Sequence, residues 1–487
     1  MNKIIFTAAV LGASAMLNAW QVNSPHVYPT DSEPTIIIKA ENGKEKKLLA
    51  EGAFYYLHES GSWSDGEYRR SDNAGWEKLT AKPIEDGAAV TVKLRDEGNH
   101  CIRLGKIGNV LTGKKKKKLR PGFLKGYADF RLFTLKPDLM ALRPWKGDIH
   151  QHSIRCGHAK EPPHRIPAFG RRAGFDFLAL SEHKLHGPSL EAIAANNNAD
   201  AGMNAFPAEE FHTERASILH AVAVGHESGV NDWTRKHPEE YEKRWKAEMA
   251  NPEYAPYGLN KFELEMIAKA RVLYRIARNE CKAKLIVHCH PASQGMAEYT
   301  EHPMPRFRRV MFELFDHDAV EWINCAQGGG TRRVMYMNSM AQERFARGMG
   351  AGYVSVSDCH SHATHTRYGK FFTVIFAKDC TTDDFVAAVK SRMSVAVRLP
   401  SDKDNPLDAL YFGPSRLIHY QEYLDDVYWP GHDKLCREQG ELMLKLADGD
   451  ESVRPRIAEL KKAVKKYRDD FFFSPKKNGS AADDKRL

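Results

Sequence analysis

Cysteine is scarce, with eight residues in a chain of 487. That is too few for the disulfide framework that staples small secreted domains. After the first nineteen residues no apolar run approaches the ~20 residues that a membrane-spanning helix needs, and there is no internal repeat. Charge of one sign is also in short supply. The 72 Lys and Arg against 63 Asp and Glu leave +9, and five of the basic residues are a single run, lysines 114–118. A dedicated nucleic-acid binder would spread Arg and Lys along a face with aromatics between them, so nucleic acid is not an expected partner.

What is present is ordinary globular material plus one anomaly. Apolar residues make up 42% and charged residues 28% of the chain, enough for a sizeable core. At ~150 residues per domain the length corresponds to about three domains. The anomaly is histidine: of 22 in the chain, 17 fall between His150 and His365. Neutral imidazole is the commonest metal ligand, and this enrichment points to a metal centre.

Residues 1–19 read as a secretory signal peptide. Lys3 supplies the charged start, residues 4–17 are apolar or small, and Leu17-Asn18-Ala19 is an acceptable cleavage site, with Ala13-Ser14-Ala15 as a second. Gln21, Asn23 and Ser24 end the apolar stretch too early for a membrane anchor, and no cysteine follows it to carry a lipid. The expectation is a protein exported to a bacterial periplasm or beyond. Its oligomeric state is not legible.

The remainder divides by pattern. Residues 20–140 look β-rich and sandwich-like: Thr35-Ile36-Ile37-Ile38 is a strand, residues 88–94 alternate, and Ser60-Gly61 and Ser71-Asp72-Asn73 mark turns. The lysine run is expected to be a solvated loop. From 141 to 400, short apolar strands alternate with helices, and several strands end in ligand-type residues. Gly147-Asp148-Ile149-His150, Leu180-Ser181-Glu182-His183, Val287-His288-Cys289-His290-Pro291, Ile323-Asn324 and Ser357-Asp358-Cys359-His360 are such ends. Ligands gathered at the C-terminal ends of strands are what a β/α barrel active site requires. Residues 231–261 read as a helical insertion covering the site, 401–475 as a helical extension with a break at Pro430-Gly431, and 476–487 as a disordered tail.

His150 and His152, two apart on a strand, project to one face and can share an ion. His158 follows six residues later. His183, Glu210 in Ala208-Glu209-Glu210, His220, His290 before Pro291, and the pair Asp358 and His360 complete the series. Cys156, Cys289 and Cys359 each lie beside one of these histidines and are read as small buried neighbours rather than ligands. His164, His186, His212, His226 and His362 are read as supporting or surface groups.

The order HxHx5H, EH, EE, H, HP and DxH resembles the PHP domain, the polymerase and histidinol phosphatase superfamily, over residues 143–400. The opening Arg143-Pro144-Trp145-Lys146-Gly147-Asp148-Ile149-His150 and the leader resemble an exported branch related to carbaryl hydrolase-type proteins. The resemblance implies an α/β fold, a distorted (β/α)7 TIM-like barrel preceded by a β-rich domain, holding two or three divalent ions. By that resemblance His150, His152, Glu210 and Asp358 hold the first ion. Glu210, His220 and His290 hold the second, and His158, His183 and His360 the third. Glu182 stands where Asp is usual and Ala208 where Gly is usual. The choice between Glu209 and Glu210 therefore stays open, with Glu210 preferred, and His288 is an extra candidate beside His290.

Arg155, Lys184 and Arg367 could clamp an anionic substrate, and His365 could protonate a leaving group. An imidazole-rich set suits Zn, Mn or Fe. The leading expectation is a secreted phosphoesterase acting on a small or oligomeric phosphoester through a metal-bound hydroxide. A carbamate, carboxylic ester or amide hydrolase is the second, and a non-catalytic polyanion-binding protein the third.

Overall fold

The computed structural model describes residues 20–58, 63–64, 67–68, 76–112, 118–213, 219–291, 306–324, 331–400 and 409–474. The leader 1–19, most of the lysine run and the 476–487 tail lie outside the described residues. The chain divides into two compact units. One comprises 1–141 with 422–430 and 465–487; the other comprises 142–421 with 431–464. The C-terminal helices Ser415–Val427, Trp429–Ala447 and Arg454–Phe471 therefore supply segments to both. Pro430 sits in the first turn of its helix, where its missing N–H costs nothing. The expected break accordingly falls just before it, between Val427 and Trp429.

In the first unit a four-stranded antiparallel sheet faces a five-stranded sheet across one core. Strand Thr35–Ala40 shows the period of two that builds it: Ile36, Ile38 and Ala40 are buried. Ile36 and Ile38 meet Phe54, Ile102, Leu104, Phe130 and Leu132 from the second sheet. Within this unit Phe471 stacks on His26, ring centroids 4.7 Å apart. Tyr423 donates to the carbonyls of His26 and Arg131.

The second unit is mixed α/β around a ten-stranded sheet. Its strands are β1 (Arg143–Asp148), β2 (Phe177–Leu180), β3 (Asn204–His212), β4 (His220–Val224), β5 (Leu285–His288), β6 (Ala319–Asn324), β7 (Gly352–Val356), β8 (Phe371–Ala377), β9 (Ser394–Arg398) and β10 (Leu410–Phe412). The order is β7-β6-β5-β4-β3-β2-β1-β8-β9-β10. The sheet curls until its ends nearly meet. Ser355 of β7 accepts from and donates to Thr373 of β8 at 2.9 and 3.0 Å, and its hydroxyl reaches Val397 O of β9 at 2.8 Å. At the rim Asp358 N donates to His150 O and His152 N to Cys359 O, tying the ends of β1 and β7 together.

Most barrel strands are buried on both faces, which is why they read as continuous apolar runs. Gly147 allows β1 and β2 to close up, since a side chain there would collide with the ring and carbonyl of Phe177. The regular strand–helix alternation expected from the sequence does not hold throughout. β3 and β4 form an antiparallel hairpin, and β4 runs antiparallel to β5. The seven residues between His212 and His220 are too few for the crossover that parallel pairing demands. Between β4 and β5 the chain builds helices Val230–Lys236, Pro238–Glu248 and Lys261–Asn279, the last opened by a capping box of Asn260 and Glu263.

Candidate metal centre

Glu210, fully buried near the end of β3, is the hub. Its Oε1 lies 2.6 Å from His220 Nδ1 and 3.5 Å from His290 Nε2. Its Oε2 lies 2.9 Å from His183 Nε2, 3.2 Å from His212 Nε2, 3.3 Å from His150 Nε2 and 3.5 Å from His152 Nε2. Asp358 faces the same two nitrogens, with Oδ1 3.1 Å from His152 Nε2 and 3.5 Å from His150 Nε2. His360 borders the same face, its ring 4.2 Å from that of His152.

The backbone explains why these side chains converge. His150 and His152 follow β1, and Glu210 and His212 share one face of β3 because alternate residues do. Pairing of His212 with His220 across the hairpin stacks their rings at 3.9 Å. Glu209 points the other way, accepting from Val230 N and Asn231 N at 2.7 and 3.0 Å and so anchoring the helix that starts there. Geometry thus places Glu210, not Glu209, in the cluster. His288 is bonded to Tyr274 at 2.9 Å beneath the long helix, whereas His290 reaches Glu210. Three non-glycine residues at the rim adopt left-handed backbone: Lys184 (φ 58°), His290 (φ 23°) and Asp358 (φ 51°). Such conformations cost of order 1–3 kcal/mol each and persist only where the surroundings impose them.

An outer ring of carboxylates orients the imidazoles. Glu321 on β6 binds His150 Nδ1 at 2.6 Å and accepts from His290 N and Asn324 Nδ2 at 2.7 Å. Glu182 binds His152 Nδ1 at 3.4 Å while accepting from the backbone and hydroxyl of Ser153. Asp148 accepts from His150 N at 3.1 Å and Ser357 Oγ at 2.5 Å. Burial pushes Asp148 up to about 7 against those hydrogen bonds. A carboxylate on one ring nitrogen turns the other toward the centre, the arrangement that orients ligating histidines.

With both Nδ1 atoms so engaged, His150 Nε2 and His152 Nε2 face each other at 3.1 Å, and a proton or a bound cation must lie between them and the carboxylates of Glu210 and Asp358. Burial alone would depress these rings. For His150 the Glu321, Glu210 and Asp358 charges win and hold it well above the usual range; His152 rises to about 9 through Asp358, Glu182 and Glu210. Glu210 is held well below the carboxylate range, its burial outweighed by His150, His220 and His212. His212, by contrast, falls to about 3, because burial outweighs Glu210.

The side chains fit divalent metal ions. No ring N–H is aligned on Glu210 Oε2 for a hydrogen bond despite four imidazoles around it, and neither nitrogen of buried His212 has a partner. Buried polar groups are otherwise almost always satisfied. Ligand atoms of His150, His152 and Glu210 lie within 4.8 Å of one another, as do those of Glu210, His220 and His290, and of His183, Glu210 and His212. A further such group joins His152, His183 and His360 to Cys156.

Two ligand-type residues were missed by the sequence reading. His212, expected to be a supporting or surface group, joins the cluster, and its spacing of two from Glu210 is the sequence signal for it. Glu321 carries a weaker signal, a lone acid in the apolar run of β6 that must have a partner if buried. His158 is exposed, its ring 5.8 Å from that of His183. Arg155 pairs with Glu191 at 2.9 Å, both well exposed. His365 lies beside Arg367, whose charge adds to burial in lowering its pKa.

Lys184 opens onto a cleft of about 500 Å³ floored by His212 and Thr213. Its walls are Asn231, Thr234 and Arg235 from one helix, and Tyr241 and Trp245 from the next. The first helix presents residues three and four apart and the second residues four apart, in each case one face of a helix. Asn231 fastens the first wall by bonding both N–H and C=O of His212 at 3.0 and 2.9 Å. Arg235 bonds Lys184 O at 3.1 Å, and the Lys184 ammonium makes no ion pair among the described residues.

No family model and no curated protein matches the chain. Among solved structures it is similar to a candidate metal-dependent phosphoesterase from Bifidobacterium adolescentis, at 13% identity and a TM-score of 0.28. It is also similar to an amidohydrolase from Chromobacterium violaceum, at 17% identity and a TM-score of 0.28. Each alignment covers 44% of this chain and 87% of the other.

Proposed function

We propose that the chain is an exported, metal-dependent hydrolase of the PHP type, acting on phosphate esters. The observation that carries this is the convergence of six imidazoles on the buried carboxylate of Glu210, with Oε2 left without a hydrogen bond. His150, His152, Glu210 and Asp358 would hold one ion, Glu210, His220 and His290 a second, and His183 and His360 would take part in a third. Bound there, divalent ions supply Lewis-acid charge and lower the pKa of coordinated water.

The chain's own residues do the rest. Glu321 and Glu182 fix the two rings of the HxH pair, so that little reorganisation accompanies the reaction. Lys184 brings positive charge to the cleft beside His212, where Arg235 is already paired with Asp232, and this favours a substrate already anionic at the bond to be broken. Tyr241, Trp245 and Leu273 give the far wall an apolar, aromatic surface. That wall supports the second reading, hydrolysis of an aryl carbamate, ester or amide in the same site.

Elemental analysis of protein purified without chelators is expected to find about two or three ions per chain. The loaded protein is expected to hydrolyse phosphate mono- or diesters. Turnover of aryl carbamates or esters with none of phosphate esters would move the second reading ahead. Absence of turnover on both panels would sink the hydrolase reading. Export is tested by N-terminal sequencing of the mature protein, expected to begin after Ala19.

A further inference from the structure

The turn after the HxH pair decides which of its residues reaches the cluster. Ser153 opens a 3-10 turn, Ile154–Cys156, by accepting from Arg155 N, and Gly157 closes it at φ 81°. Space does not require glycine there, because a side chain would meet nothing within 4 Å; the left-handed backbone does. The reversal leaves Cys156 half-buried and facing the cluster, and delivers His158 to the surface.

We infer that the sulfur of Cys156, rather than the imidazole of His158, completes the set formed by His183 and His360. This rests on the metal-dependent reading above and specifies one of its sites. The ligand atom of Cys156 lies within 4.8 Å of those of His152, His183 and His360. His158 N donates to Cys156 Sγ at 3.4 Å. That N–H fixes the sulfur within the turn, and the thiolate is the form that ligates metals. His152 borders the set, but its Nε2 is directed at Asp358 and Glu210. A nitrogen-and-sulfur set is softer than one of nitrogen and carboxylate, and selects zinc or iron over manganese. On binding, the thiol proton passes to solvent and the sulfur lone pair forms the bond to the ion, with no change of oxidation state.

The test uses the full chain stripped with chelator and reloaded with cobalt(II), whose thiolate complexes absorb in the near ultraviolet. Wild type is expected to show this sulfur-to-cobalt band. Cys156→Ser should lose it together with about one ion per chain, and His158→Ala should keep both. Independently of any variant, a maleimide should label Cys156 in the stripped protein and be blocked after loading. The inference is overturned if wild type lacks the band, if the band survives in Cys156→Ser, or if loading leaves Cys156 fully reactive. Cobalt binding in the expected amount without the band would defeat only the sulfur ligand. No cobalt binding at all would defeat the metal-dependent reading itself.

Discussion

Two buried histidines, one in each unit, show how differently the same side chain can be used. His100 in the β-rich unit is 1% exposed and both ring nitrogens are occupied, by Tyr56 OH at 2.7 Å and Thr134 Oγ1 at 2.8 Å. His212 in the barrel unit is 2% exposed and neither nitrogen has a hydrogen-bond partner, although Glu210 Oε2 is 3.2 Å away. The first is a closed polar network, whose satisfaction lets a polar group sit in a core. The second has both nitrogens unspent beside a shared carboxylate, and burying a polar group that way is costly unless a partner completes it. Burial of histidine is therefore uninformative by itself; the state of its two nitrogens separates scaffold from site.

The contrast can be broken most severely at the hub. Glu210→Gln removes the shared negative charge and is expected to lower metal affinity and turnover by more than the ~100-fold typical of changes behind a ligand. Elemental analysis and steady-state kinetics measure it. The stripped variant should also melt below stripped wild type at neutral pH, because His150, His220 and His212 hold this carboxylate well below its usual range and so stabilise the metal-free fold.

Glu321→Gln keeps every ligand but weakens the clasp on His150 Nδ1. The expected loss of metal affinity is about 10–100-fold, read by chelator competition. His100→Leu should do the converse. Leaving Tyr56 and Thr134 without their partner costs about 1–3 kcal/mol, seen in thermal or denaturant unfolding, with metal content and kcat unchanged. Should His100→Leu alter metal content, or Glu321→Gln alter only stability, the division between the two units would fail.

Lys184→Ala should raise KM for phosphate esters about 10-fold, the size of a charge-assisted hydrogen bond of ~1.5 kcal/mol, and leave neutral aryl esters unaffected. The smallest expected effect concerns acid. His226, paired with His186 at 2.5 Å away from the hub, is lowered to about 3 by burial and then by His186. Its native pKa is below the unfolded value, so its contribution is full above pH ~6.5 and is lost as pH falls toward 3. His226→Leu should flatten the acid limb of stripped-protein stability between those limits, and leave stability above pH ~7 nearly pH-independent at this site.

Much of the centre was legible because a strand repeats every two residues. His150 with His152, and Asp358 with His360, could be assigned to shared faces before any fold was known. The same rule applied to Glu210 would have recruited His212 and separated Glu210 from Glu209. Glu321 was harder, since nothing near it in sequence names a partner; its bonds are to His150 and His290, far along the chain. Cys156 and His158 show the opposite limit. They are two apart, yet a 3-10 turn ended by Gly157 sends one inward and the other to solvent, so strand arithmetic does not apply.

From composition and order alone came the metal-ligand chemistry, its gathering at strand ends, and the β-rich segment ahead of an α/β segment. Those follow from local rules: side-chain type, period, and the apolar runs that strands buried on both faces must have. Tertiary structure alone decided the β3–β4 hairpin, the gathering of six imidazoles on Glu210, the carboxylates behind the imidazoles, and the cleft beside His212. Each depends on which distant segments the curling of the sheet brings within about 3 Å, the hydrogen-bonding range, and no local pattern encodes that distance.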